Sequence, residues 1–133
     1  MSDRSIYLDS SAILKLVYVE DETEALEEFL RGWPRRTSSV LARVEVMRLA
    51  RRAEDPLVAR GAREVLERVD FVSVDEQILR DAIAVEPRSL RSMDAVHLAT
   101  AAMIHRDVGG MVVYDKRLAR AARAAGLTVW APA

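Results

Sequence analysis

Residues 4–14, RSIYLDSSAIL, carry the reading on which the rest depends. A short apolar run, Ile6-Tyr7-Leu8, stops at a carboxylate, Asp9, and a second apolar run follows two serines. A run of that length reads as a strand buried on both faces, and an acid at its end is placed to cap a helix starting at Ser10 or Ser11. Residues 111–127, MVVYDKRLARAARAAGL, repeat the arrangement: an apolar run, Asp115, and a helix that stops at Gly126, which suits a left-handed C-terminal cap.

Working outward, further short apolar runs at 71–74 and 128–130 and a weaker one at 36–38 predict three more strands. Helical spacing joins Ala25, Leu26, Phe29, Leu30 and Trp33 after the acidic start at 20–24. A second helix is expected over 40–53 with Ser38 or Ser39 as its cap, and Asp55-Pro56 reads as a cap followed by proline at the first helical position. Helices are also expected at about 75–86, 94–105 and 116–125. Strand and helix alternate with no linker, repeat or low-complexity segment, so the expected fold is a single domain over 1–133. Its class is α/β: a three-layer sandwich with a short, mainly parallel central sheet, helices on both faces and right-handed crossovers.

Composition bounds the function. The chain has 133 residues, half of them hydrophobic and 31% charged, with no apolar run near the ~20 residues that cross a bilayer. No membrane association is expected, and with no cysteine there are neither disulfides nor thiolate chemistry. The apolar segment near the N-terminus is too short for a secretory signal, so a cytoplasmic location is expected. Lys and Arg total 20 against 21 acids, so net charge alone argues for no polyanionic or membrane partner.

In a sheet of this class ligands bind beyond the carboxyl ends of the strands, where Asp9 and Asp115 are expected. Two further acids stand in apolar company: Glu45 in SSVLARVEVMRLA and Asp94 in RSMDAVHLATAAM. Glu45 shares a helix face with Leu41 and Leu49, and a buried acid must find a cation, change protonation or bind a metal. Each acid has an ordinary reading as well: Asp9, Asp94 and Asp115 as helix caps, Glu45 as a partner for Arg48 or Arg52. What those readings leave unexplained is that a doubly covered sheet can bring all four together. Carboxylates gathered without cysteine select a hard cation, Mg²⁺ or Mn²⁺, and such sites cleave phosphodiesters. Ser11 is placed to orient a carboxylate or a water. His97 reads as a satisfied structural histidine and His105 as a surface residue.

These stretches resemble the PIN-domain ribonucleases, most closely the VapC-type toxins of bacterial toxin-antitoxin modules. IYLDSSAILKLVYVEDE is similar to the family's opening strand and helix, SSVLARVEVMRLARR to its glutamate-bearing helix, RSMDAVHLATAA to its central aspartate motif and MVVYDKRLARAARAAGL to its last strand and helix. The resemblance implies a metal-dependent endoribonuclease with an acidic site of Asp9, Glu45, Asp94 and Asp115 holding Mg²⁺ or Mn²⁺, Asp9 and Asp94 being the firmest ligands. It also implies an RNA substrate, a cognate antitoxin that covers the site, often with a basic side chain, and a homodimer. Val113 departs from the pattern, since the family often has a hydroxyl residue there. For the RNA backbone, Arg43, Arg48, Arg88, Arg91, Lys116 and Arg117 lie near the acids, with Lys116 and Arg117 the first candidates. The rival readings are a catalytically inactive PIN-like module that binds RNA or protein, and a phosphoryl-transfer or receiver-like domain, which lacks support because no DxD ends the first strand.

Overall fold

The computed structural model describes residues 4–133. Its order is β1 (Ser5–Leu8), α1 (Ser10–Val17), α2 (Thr23–Leu30), β2 (Arg36–Ser39), α3 (Val40–Arg52), α4 (Pro56–Glu67), β3 (Asp70–Val72), α5 (Glu76–Ile83), α6 (Ser92–Met103), β4 (Val108–Val112), α7 (Lys116–Ala124) and β5 (Val129–Trp130). The strands form one sheet in the order β3-β2-β1-β4-β5, and every pairing is parallel.

Alternation along the central strands builds the three layers. Ile6, Leu8 and Val112 pack with Ala12, Leu26, Leu30 and Val46 on one face, against α1 to α4. Tyr7, Met111 and Val113 pack with Leu98, Leu118 and Ala122 on the other, against α6 and α7. This is the period of two expected of a strand covered on both sides. The edge strand β3 departs from the expectation of full burial: Asp70 is exposed and Phe71 and Val72 are half-buried, because only one neighbour covers it.

Capping follows the sequence closely at four helices. Asp9, Ser39, Asp55 and Asp115 each accept a backbone N–H at the start of α1, α3, α4 and α7, worth about 1 kcal/mol apiece by general experience. Gly126 has φ +87, the left-handed stop anticipated after α7. Several boundaries differ from expectation, among them the end of α5, at Ile83 rather than 86, and the end of β4, at Val112 rather than Tyr114. Helix α6 starts at Ser92 rather than 94, since the Arg91 carbonyl accepts the first helical bond from Ala95 N–H, so Asp94 lies inside the first turn and is not the cap.

Strand β4 begins at Val108, earlier than the apolar run suggested, and takes in two glycines. Packing explains them. A Cβ at Gly109 would lie 2.0 Å from Trp33 Cη2, and Gly110, at φ +140, passes against the Thr128 carbonyl and the Trp130 ring. Trp33 and Trp130 thus occupy space that any side chain here would need.

Candidate active site

Asp9 leaves β1 on the face that Tyr7 occupies, toward α6, by the alternation of the strand. Its Oδ1 accepts bonds from Ala12 N–H (2.8 Å) and the Ser11 hydroxyl (2.9 Å), which fix the carboxylate and leave Oδ2 for a ligand. The side chain is only 3% exposed. Burial pushes its pKa up to about 6; the bonds from Ala12 and Ser11 oppose that rise, and the charges of Asp94 and Glu45 reinforce it.

Asp94 is half-buried in the first turn of α6. Its pKa is raised, first by burial, then by the charges of Asp115 and Glu45, with Arg91 pulling the other way. Glu45 stands half-buried in the second turn of α3. Asp115 is exposed, and its Oδ1 accepts from Arg117 N–H and Leu118 N–H, both at 2.9 Å. The four acids come from four separate segments, and each feels or exerts the charge of another. They form one crest at the carboxyl edge of the sheet.

Behind the crest lies a buried polar relay that the sequence only half disclosed. His97, 1% exposed, is bonded through Nδ1 to Tyr7 Oη (2.7 Å) and through Nε2 to Ser10 Oγ (2.9 Å). Burial pushes its pKa down to about 4, so the ring is neutral. With both nitrogens engaged it is structural, as its apolar helix suggested, and it locks α6 to the start of α1. His105 is exposed, with Nδ1 2.9 Å from the Ala102 carbonyl.

Lys15 and Tyr114 flank the crest and were not singled out by the sequence. Lys15 bonds Glu20 (2.6 Å) and Glu22 (3.0 Å) and lies 4.7 Å from the centre of the Tyr114 ring. Burial pushes the Tyr114 phenol up to about 12, and the charge of Asp9 adds to the rise. The signal was available: Lys15 is one of two lysines and follows Asp9 on the first helix. Among the basic candidates, Lys116 and Arg117 stand exposed beside Asp115, with Arg117 Nη2 3.5 Å from Ser89 Oγ. Arg43 lies over the Phe71 ring at 5.6 Å, and Arg88 faces Glu86 at 3.9 Å.

The donor set fits Mg²⁺ or Mn²⁺ in kind, being all oxygen. Among the described residues no three acids or histidines converge as a ready-made metal-holding group. The four-acid ligand set expected from the sequence is therefore not preassembled as a cage. The Asp9 carboxyl, buried beside like charges, is the group with most to gain from a cation.

Fold and site together define a class: a parallel α/β sandwich with acids gathered at the carboxyl edge of its sheet. The model of the PIN domain matches residues 6–124, and the chain belongs to that family. It is 43% identical over 129 residues to Ribonuclease VapC46 of Mycobacterium tuberculosis, covering 96% of this chain and 98% of that protein. It is 41% identical over 131 residues to Ribonuclease VapC35 of the same organism, covering 96% of each. Among solved structures, a toxin-antitoxin complex from Klebsiella pneumoniae superposes with a TM-score of 0.70 at 20% identity, over 86% of this chain and 90% of that one. VapC20 of Mycobacterium tuberculosis, a sarcin-ricin loop cleaving toxin, superposes with a TM-score of 0.68 at 17% identity, over 93% and 97%. At those identities the two structures bear on the fold alone.

Proposed function

We propose that this chain is an endoribonuclease, the toxin of a toxin-antitoxin pair, which hydrolyses RNA phosphodiester bonds at the acid crest. The observation that carries the reading is the gathering of Asp9, Glu45, Asp94 and Asp115, from four separate segments, at the carboxyl edge of the sheet. Full-length likeness to VapC ribonucleases supports it.

In this reading Asp9 and Asp94 hold Mg²⁺ or Mn²⁺, assisted by Glu45 and Asp115. Such a cation supplies Lewis acidity to a phosphate oxygen and lowers the pKa of an attacking water. The chain supplies rigidity and placement. Ala12 N–H and the Ser11 hydroxyl hold Asp9 in one rotamer, and the His97 bonds to Tyr7 and Ser10 keep α6, with Asp94, against β1. Lys116 and Arg117 offer charge to backbone phosphates beside Asp115. An antitoxin tail that lays a basic side chain among the acids substitutes for the cation and shuts the site. The protein works in the cytoplasm as a homodimer, and α5, where Ile83 is 85% exposed beside Leu79, is the candidate face for the second copy.

The test is cleavage of a pool of structured RNAs by purified, antitoxin-free protein with Mg²⁺, with Mn²⁺ and with EDTA, beside Asp94→Asn. Cuts that need the cation and vanish in the variant are expected. Folded protein that cuts nothing under any condition refutes the enzyme and leaves a binding module.

A further inference from the structure

The strands of a parallel sheet all begin at one edge, and here an arginine leads into four of them. Arg4 precedes β1, Arg36 opens β2 with Arg35 before it, Arg68 stands two residues before β3, and Arg106 two before β4. The sheet order sets these strands side by side as β3-β2-β1-β4. At ~4.8 Å per strand the row is about 14 Å long. It lies at the edge opposite the acid crest.

Two clefts open along this edge. One, of about 520 Å³, has Arg31, Arg36 and Arg68 beside Leu16, Leu30 and Val65. The other, of about 460 Å³, has Arg4, Arg35 and Arg106. The acids that also line them are Glu27, Glu64 and Asp107, of which Glu64 bonds Arg60 at 3.3 Å, while Arg31 is taken by Glu28 at 2.7 Å. Among the described residues no carboxylate lies within 4.0 Å of the guanidinium of Arg36, Arg68 or Arg106.

Arg36 is the telling case. Its Nε is shut off from solvent and bonds to nothing among the described residues, so the half-buried guanidinium is held with an unmet donor. Burial, and then the charge of Arg68, lower its pKa, so the pair repels where an anion would relieve it.

We propose that this arginine row is a second contact surface for RNA, gripping backbone phosphates at the edge of the sheet remote from the acids. The inference rests on the ribonuclease reading and extends it to how substrate is held. A crest of carboxylates repels the phosphate backbone, so affinity has to come from cations elsewhere on the molecule. Arginine forks match phosphate oxygens, and a linear row with strand spacing suits a linear polyanion. Substrates long enough to reach from crest to row are therefore preferred over short ones.

The experiment measures binding of a fluorescent single-stranded oligouridine to the Asp94→Asn protein in EDTA over a range of KCl. With Arg36→Gln and Arg68→Gln added together, the slope of log K against log salt falls by about 1.4, since each lost phosphate contact on a single strand is worth about 0.7. Binding at low salt weakens about tenfold. Arg63→Gln, exposed on α4 and outside both clefts, is a control for the loss of a single charge and changes neither. A folded double variant with the parent slope overturns the proposal; should that variant misfold, Arg106→Gln on the exposed part of the row takes its place with an expected loss of about 0.7 in slope. Binding of poly-glutamate more tightly than oligouridine at matched charge also overturns it, and assigns the row to an acidic protein. A fallen slope with no cleavage by the parent chain refutes the ribonuclease reading alone, whereas metal-dependent cleavage with an unchanged slope refutes the row alone.

Discussion

In metal-free protein, Asp9→Asn should stabilise the fold at pH 8 by about 3 kcal/mol and at pH 4 by only about 0.5 kcal/mol. The Asp9 carboxyl, ordinarily at 3.8, is pushed up to about 6 in the folded chain, chiefly by burial. The folded state therefore holds this proton more tightly than the unfolded state does. Below pH 3.8 both states are protonated and the group is neutral in its effect. Between 3.8 and 6 the unfolded chain releases the proton first, so stability falls with rising pH, and above 6 the full penalty persists. At 1.36 kcal/mol for each tenfold change in proton affinity, the gap amounts to about 3 kcal/mol. Asparagine removes the charge and keeps an oxygen for Ala12 N–H and the Ser11 hydroxyl, and it caps helices as well as aspartate does. The assay is urea unfolding in EDTA across that pH range, where a shift of the midpoint by about 1–3 M at pH 8 with unchanged m is expected. The His97 contribution is common to both proteins and drops out of the difference. A gain equal at both pH values, or no gain at pH 8, would refute the claim that buried charge at Asp9 opposes folding.

The remaining predictions concern the same few contacts. Mg²⁺ or Mn²⁺ raises the Tm of the parent chain in calorimetry, and Asp94→Asn loses most of that rise; an equal rise in both shows that the cation binds elsewhere. His97, pushed down to about 4 by burial, keeps its neutral-ring NMR shifts from pH 8 to pH 5, and the stability held by the neutral ring is lost as pH falls from 6.5 toward 4, about 3 kcal/mol in all. A midpoint near 6.5 contradicts this. Tyr7→Phe strips His97 Nδ1 of its partner and costs about 1–3 kcal/mol in urea unfolding. Gly109→Ala drives a Cβ to within 2.0 Å of Trp33 and costs about 1–3 kcal/mol, an effect that should largely vanish when Trp33 is cut back to leucine.

Much of this fold was legible because the relevant signals are local. Strand, acid and helix follow one another directly at Asp9 and, after two residues, at Asp115, so caps and element types could be read from neighbours in sequence. The start of β4, which differed, was decided at a distance. Gly109 and Gly110 belong to β4 because Trp33 and Trp130 lie against them, and no window around residue 109 contains Trp33. The start of α6 was misplaced because Arg91 carries no side-chain capping bond and so gave no signature. The same distinction holds at the site. The four acids stand out by their company in sequence and are candidates on that ground, while the Tyr7–His97–Ser10 relay links residues up to 90 positions apart.

One geometric fact ties the acids to the arginines. A parallel sheet sorts the chain into residues that end strands and residues that begin them, and places the two sets on opposite edges. Here strand ends lead to Asp9 and Asp115, and strand beginnings follow Arg4, Arg35, Arg68 and Arg106. A net charge of −1 therefore conceals an arginine row at one edge and four carboxylates at the other, even though Lys116 and Arg117 stand beside the acids and Glu27, Glu64 and Asp107 line the arginine clefts. A polyanion drawn to one edge and a cation drawn to the other can both bind without competing. That separation is what the fold adds to a list of charged residues, and it predicts that reversing the charge of the arginine row should alter RNA affinity while leaving the affinity of the crest for Mg²⁺ within about twofold, since screening weakens fields beyond about 10 Å at ordinary salt.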